Sequence, residues 1–457
     1  MRGVSDVVAA HVAATRFADL PPGAVAAARH VLLDALGVML GASGMSAESA
    51  AFVRVAVGNG PGPCAVLGTG LRAAAPMAAL ANGGFAHALD YEDAFDRAPG
   101  HPNASLVPAL IALAQAEGAA GRPVDGRRFL TALAVGGDLS CRMGLALRRQ
   151  MEAGGWYPPP ILAGMGAAAG AAALLGLDAG AVRDALSLMM CQNVIPGEIK
   201  YSQGTVIRAV REGFPAQAAV LSAQLAREGV AGFEQPIEGR SGFYAVFAGG
   251  QFDADDLTGD LGARYWIDEL TYKRWPSCRG THPFIEMALA LRGQIGAAAV
   301  TAVAVGIDDV QTMLTEPLPR KQAPATAIDA KFSIPFTTAL ALVRGRVGLD
   351  DFGPDSLADP DVLAMAARVT PVQATGAGWQ RGSGGRLVFN LSDGRVLTAE
   401  QADAAGSPER PLGQAALVAK FIDCAGRAAV PVGDPAALAG AILNLQDCAD
   451  VGALLAV

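Results

Sequence analysis

The chain has 457 residues, a formal net charge of −8, only 17% charged residues and 56 glycines. That length argues for two or more domains, and an acidic balance without clustered Lys and Arg excludes a nucleic-acid footprint. Cys64, Cys141, Cys191, Cys278, Cys424 and Cys448 form no CxxC pair and no Cys/His zinc spacing, which excludes a disulfide framework or an iron-sulfur cluster as the organising device.

Taken in order, Ser5 or Asp6 caps a first predicted helix reaching about Phe17. Pro21 and Pro22 open a second, which Gly41 is expected to end. The start of the chain shows no apolar signal core, so a cytoplasmic location is expected. Residues 61 to 74 are turn-rich, and helix resumes at about Ala75, with Pro108 expected to start the next one. Further helices are predicted near 127–149, 161–176, 179–191 and 215–228, with almost no period-two pattern between them. The uncharged run from Ile161 to Leu177 only touches the lower limit of a membrane span, about 17 residues. A buried helix is expected there, with Gly166 and Gly170 allowing close packing, and no membrane partner is expected.

After Leu261 the texture changes. Residues 301 to 307 read as a strand, 386 to 398 as a hairpin turning at Asp393 and Gly394, and 332 to 344 as a helix. The fold class expected is mainly α, with a large all-α domain formed by both chain ends, 1–264 with 401–457, and a smaller α+β domain over 265–400.

The chemistry-bearing residues are concentrated in one stretch. Residues 84 to 108 gather His87, Asp90, Glu92, Asp93, Asp96 and His101 between two apolar helical segments. Imidazole beside carboxylate is readily tuned into a proton carrier near neutral pH, and loops on a rigid scaffold are where such groups work. His87, Asp90 and His101 also have metal-ligand chemistry, although a three-residue step from His87 to Asp90 places both on one helix face for structural reasons alone. A second charged stretch, 197 to 217, puts Lys200, Arg208 and Arg211 just before a long apolar helix, where an anion site and a solvated connector are both open readings.

Three blocks then carry a resemblance. They are His87-Ala-Leu-Asp90-Tyr-Glu-Asp-Ala with His101-Pro; Lys273-Arg-Trp-Pro-Ser-Cys-Arg279-Gly-Thr-His282-Pro; and Ala330-Lys-Phe-Ser-Ile-Pro-Phe336. Their order and spacing resemble the MmgE/PrpD family, which includes 2-methylcitrate dehydratase, cis-aconitate decarboxylase and iminodisuccinate epimerase. The resemblance implies a homodimer with a helical domain, an α+β lid and an active site in the cleft between them. It also implies acid-base chemistry next to carboxylates, without metal or organic cofactor.

Taking a proton α to a carboxylate adds charge to a substrate already anionic, so a positioned base and fixed cations are required. By the resemblance His101 is the proton carrier and Asp90 a neighbouring active-site group. Lys273 binds a carboxylate or transfers a proton, while Arg279 is a carboxylate clamp with Cys278 and His282 beside it. Lys331 reads either as part of the third block or as a surface charge. The chain departs from the family at Tyr157, where relatives have His, at Arg208, where they have Lys, and at Cys278, where the decarboxylase has His. Thr312 falls where the decarboxylase places a Tyr. Arg stays protonated at neutral pH, so Arg208, like Lys200, is expected to hold substrate, whereas Tyr157 is either a proton carrier or a pocket wall. A lyase of the dehydratase or decarboxylase type, acting on a small di- or tricarboxylate, is the expected function. The alternative is an isomerase or epimerase with Tyr157 and His101 as its two bases.

Overall fold

The computed structural model describes residues 3–202, 205–374, 378–379 and 382–457; residues 203 and 204 of the charged 197–217 stretch, and 375–377 and 380–381 of the α+β region, lie outside the described residues. Helix, short 3-10 turns included, makes up 57% of the described residues, far above the roughly one-third of an ordinary globular protein, so the mainly-α expectation holds. The chain divides into two compact units, one of residues 1–88, 92–270 and 413–457, the other of residues 89–91 and 271–412.

In the first unit the Pro158–Leu175 helix is the centre, packed by Gly126–Leu145, Asn103–Ala119, Ala179–Met190 and Gly213–Arg227. Pro158 starts it in the first turn, where the missing N–H costs nothing, and Gly176 in the left-handed region ends it. Glycines decide how near its neighbours come. A Cβ on Gly166 would stand 2.4 Å from the Gly136 carbonyl, and one on Gly170 would stand 2.9 Å from the Ala132 carbonyl, so the two backbones touch directly. This helix and Pro22–Met45 are long and apolar enough to cross a membrane by length and composition, and both are enclosed, with 83% and 78% of their most apolar windows buried.

Several details differ from the sequence expectation. The second helix runs on through Gly41 to Met45. Its glycines serve packing rather than termination, since a Cβ on Gly37 would meet Phe421 Cα at 3.1 Å. That contact joins Pro22–Met45 to the Gln414–Ala425 helix from the other end of the chain, and a buried Asp34–Lys420 pair at 2.6 Å reinforces it. The helix after the acidic loop begins at Asn103 and contains Pro108 in its second turn. The turn-rich segment holds a short antiparallel hairpin, β1 (Cys64–Val66) with β2 (Leu71–Ala73), too brief to show a period of two.

The second unit carries a mixed four-stranded sheet of β3 (Val300–Ile307), β4 (Val369–Gln373), β5 (Gly385–Leu391) and β6 (Val396–Gln401), in the order β4-β3-β5-β6. β3 pairs with β4 in parallel and with β5 antiparallel, and β5 and β6 form the expected hairpin. Gly394 takes φ 85° in the turn, which only glycine adopts at no cost. Leu387, Phe389 and Leu391 alternate into the core, where the His282–Ile295 helix packs on β5: a Cβ on Gly385 would stand 2.6 Å from the Phe284 ring. β4 was not visible as a strand in the sequence. It contains Pro371, which an edge strand tolerates because one side of its ladder goes unpaired.

Candidate active site

In the first unit the site is built at the junction of two helices. Ala75–Ala88 carries His87 in its last turn, Asn103–Ala119 begins two residues after His101, and the loop between them folds back on itself through bonds from Phe95 N to Gly100 O and from Ala98 N to Phe95 O. Glu92, fully buried, places Oε1 2.9 Å from His101 Nδ1 and within hydrogen-bonding contact of His87 Nδ1. The Asp93 main-chain carbonyl also lies 2.9 Å from His101 Nδ1. The Asp93 side chain accepts from Asn103 Nδ2 at 2.9 Å. Burial first, and then the charge of Asp34, push its carboxyl up to about 7.

A second acid stands near this loop. Glu212 is fully buried, accepts from Ser105 Oγ at 2.5 Å and pairs with Arg211 Nε at 3.2 Å. Burial raises its pKa against the opposing pull of Arg211. Close backbone approach brings it here: a Cβ on Gly83 would stand 2.7 Å from the Glu212 carbonyl and from Gly213 Cα. Tyr157, 5% exposed at the N-cap of Pro158–Leu175, donates its N–H to Ile195 O at 2.9 Å. Its ring faces Arg211 at 5.0 Å and Lys200 at 5.3 Å, both within cation–π range. Lys200 also reaches Glu152 at 3.4 Å, and Arg208 is half-buried one turn before Arg211, whose guanidinium donates to the Arg208 carbonyl.

In the second unit Asp90 sits in the left-handed region at φ 50°, which Asp tolerates better than most residues. Lys273 donates to its carboxylate at 2.6 Å and to its carbonyl at 3.0 Å, with both side chains essentially without exposure. Lys331 is buried rather than a surface charge, and donates to Leu89 O at 2.8 Å; Tyr91 donates from its hydroxyl to Arg274 O at 3.1 Å. The three-residue segment 89–91 is thus held from both main chain and side chain.

Around it, Arg279 donates to the carbonyls of Ala405 and Ala404 at 3.0 and 2.9 Å, and His282 Nε2 donates to Ser277 O at 3.2 Å with its ring edge-on to Trp275. A carboxylate approaching Arg279 competes with these two bonds. Cys278 is half-buried and anchors its loop by donating its N–H to Lys331 O at 2.9 Å. Thr312 follows β3, in the short turn Gln311–Leu314.

His87, Glu92 and His101 carry ligand-capable atoms within 4.8 Å of one another. Hydrogen bonding accounts for that spacing, because both Nδ1 atoms face one carboxylate oxygen and so present N–H rather than lone pairs. The sequence reading gave no role to Glu92 or Glu212. The only signal for Glu212 was a charged pair, Arg211-Glu212, directly before an apolar helix.

Comparison with known proteins matches residues 6–255 to the MmgE/PrpD N-terminal domain and residues 275–434 to the MmgE/PrpD C-terminal domain. The cis-aconitate decarboxylase-like protein oryM of Aspergillus oryzae is 26% identical over 396 residues, covering 83% of this chain and 82% of that protein. A cis-aconitate decarboxylase of Aspergillus terreus is 25% identical over 418 residues, covering 86% and 82%. With both domains of one family matched in order along most of its length, the chain belongs to the MmgE/PrpD family.

Proposed function

We propose that the protein is a cofactor-independent lyase that removes carbon dioxide or water from a small di- or tricarboxylate by proton transfer α to a carboxylate. The observation that carries this reading is the buried Lys273/Asp90 pair at 2.6 Å, two residues along the chain from the Glu92 that holds His101. Asp90 and Glu92 belong to one short stretch of chain, so the sequence that carries the carboxylate held by Lys273 also carries the carboxylate that binds the His101 imidazole. Cation, carboxylate and imidazole are the set needed to hold an anionic substrate and move its proton.

In the proposed reaction His101 Nε2 exchanges the proton with the substrate carbon. Lys200 and Arg208 in the first unit, and Lys273 in the second, each supply positive charge suited to a carboxylate. In an elimination the C–H bond breaks to His101, the electron pair forms the alkene, and the hydroxyl leaves with a proton from a second acid. In a decarboxylation the carbon–carbon bond breaks, carbon dioxide leaves and the proton is delivered to the carbon left behind. Relatives that carry the name cis-aconitate decarboxylase support the second course.

One observation favours an isomerase or epimerase instead. Tyr157 is a buried phenol whose ring faces two cations, and a phenolic hydroxyl both donates and accepts a hydrogen bond, as a second proton carrier must. Incubation with a panel of di- and tricarboxylates, including amino-substituted ones, separates the two. A new ultraviolet-absorbing alkene or released carbon dioxide supports the lyase. Deuterium exchanged from heavy water into unreacted substrate, with no net product, supports the epimerase.

A further inference from the structure

We propose that Glu92 is the positioning residue of His101, fixing the imidazole in the tautomer whose Nε2 lone pair is the base, with His87 steadying the same carboxylate oxygen. This deepens the proposed function and rests on its reading of His101 as the proton carrier.

The tautomer follows from the partners. His101 Nδ1 lies 2.9 Å from the Asp93 main-chain carbonyl and 2.9 Å from Glu92 Oε1. A main-chain carbonyl only accepts, so Nδ1 carries the hydrogen. The neutral ring then has its lone pair on Nε2, and the group that orients a histidine through one nitrogen sets the chemistry of the other. His87 and His101 are not stacked: their centroids stand 5.1 Å apart at 59°, and the carboxylate organises both. His87 lies in the last turn of one helix and His101 just before the start of the next, with Glu92 in the loop between them, so two helix termini support the cluster.

The charge arithmetic is also favourable. A buried carboxylate is costly unless paired, and when the C–H bond breaks and Nε2–H forms, the electron pair stays on the substrate while His101 becomes an imidazolium against Glu92. Among the described residues of the unit, the groups bearing on this ring include His87 and the carboxyls of Asp93 and Glu212, both of which register the charge of His101.

The test is histidine-labelled nitrogen NMR on the full chain, feasible because there are five histidines, with the His101 signal assigned by its loss in H101Q. The proposal expects the wild-type ring to be protonated on Nδ1 in its neutral form. In E92Q its protonation midpoint falls by about one pH unit or more, a tenfold change in that equilibrium. In the same variant kcat falls about tenfold to a hundredfold with less change in KM, and E92D recovers part of it. A wild-type ring protonated on Nε2 overturns the proposal, as does an E92Q enzyme with unchanged midpoint and kcat. The wild-type tautomer decides the matter if E92Q does not fold. If no carboxylate is turned over, tautomer and midpoint still report on Glu92, so that failure counts against the lyase reading alone.

Discussion

Lys273 grips Asp90 twice, through the carboxylate at 2.6 Å and the main-chain carbonyl at 3.0 Å, and neither side chain is exposed to solvent. A buried ion pair is weak evidence of stabilisation, but breaking one partner is expensive because the other charge is stranded. K273M is therefore expected to lose about 3–5 kcal/mol of stability. The double variant D90N/K273M should regain much of that loss while remaining inactive. Urea midpoints and turnover of the best substrate check this; activity returning along with stability would make the pair a scaffold only.

Asp93 gives a pH signature. Its carboxyl is raised to about 7 in the folded chain from an ordinary 3.8, so between those values the native state binds more protons than the unfolded one. Stability from this group is complete below pH 3.8 and is lost as pH rises to about 7, with a slope approaching about 1.4 kcal/mol per pH unit. D93N, which keeps an oxygen for Asn103, removes that slope. The difference in melting temperature, D93N minus wild type, should grow from pH 4 to pH 7 (about the limits above) and then level off.

Gly83 is predicted to tolerate no methyl group. With 2.7 Å from its ideal Cβ to the Glu212 carbonyl and Gly213 Cα, G83A must displace the backbone that carries Arg211 and Glu212. Overpacking of this kind costs about 1–3 kcal/mol, and activity should fall further than stability alone explains. Denaturation midpoints beside kcat/KM measured well below the melting temperature test it.

Tyr157 separates the two reactions. Y157F removes the hydroxyl but keeps the ring between Lys200 and Arg211. Under the lyase reading with Tyr157 as a wall, kcat changes by less than about threefold; as a second proton carrier its loss costs about a hundredfold or more.

Because both Nδ1 atoms in the His87/Glu92/His101 cluster face a carboxylate oxygen, activity is expected to survive prolonged treatment with a strong chelator. Loss on chelation and recovery with a divalent cation would show that a cation occupies the cluster.

Much of the fold was legible because its signals are local. The helices at 126–145, 158–175, 179–190 and 213–227 follow from apolar runs between proline and glycine breaks, and the β5/β6 hairpin from Asp393-Gly394. What was missed depends on distant partners. Gly41 reads as a stop but lies inside a helix whose nearby Gly37 admits Phe421 from the far end of the chain. β4 exists because β3 offers it an edge. The site divides in the same way. The titratable cluster at 87–101 was visible as composition. The burial of Lys331 and the place of Glu212, set by Gly83 against Gly213, come from tertiary contacts that no spacing rule encodes.

Proton transfer at carbon by His101 on a small polycarboxylate is open to direct observation. The most direct measurement is proton NMR in heavy water on a substrate panel with wild type and H101N. Carbon-bound deuterium or a new alkene is expected with wild type, slowed about a hundredfold or more in H101N. Equal rates for the two proteins, or no exchange and no product with any carboxylate, would contradict it.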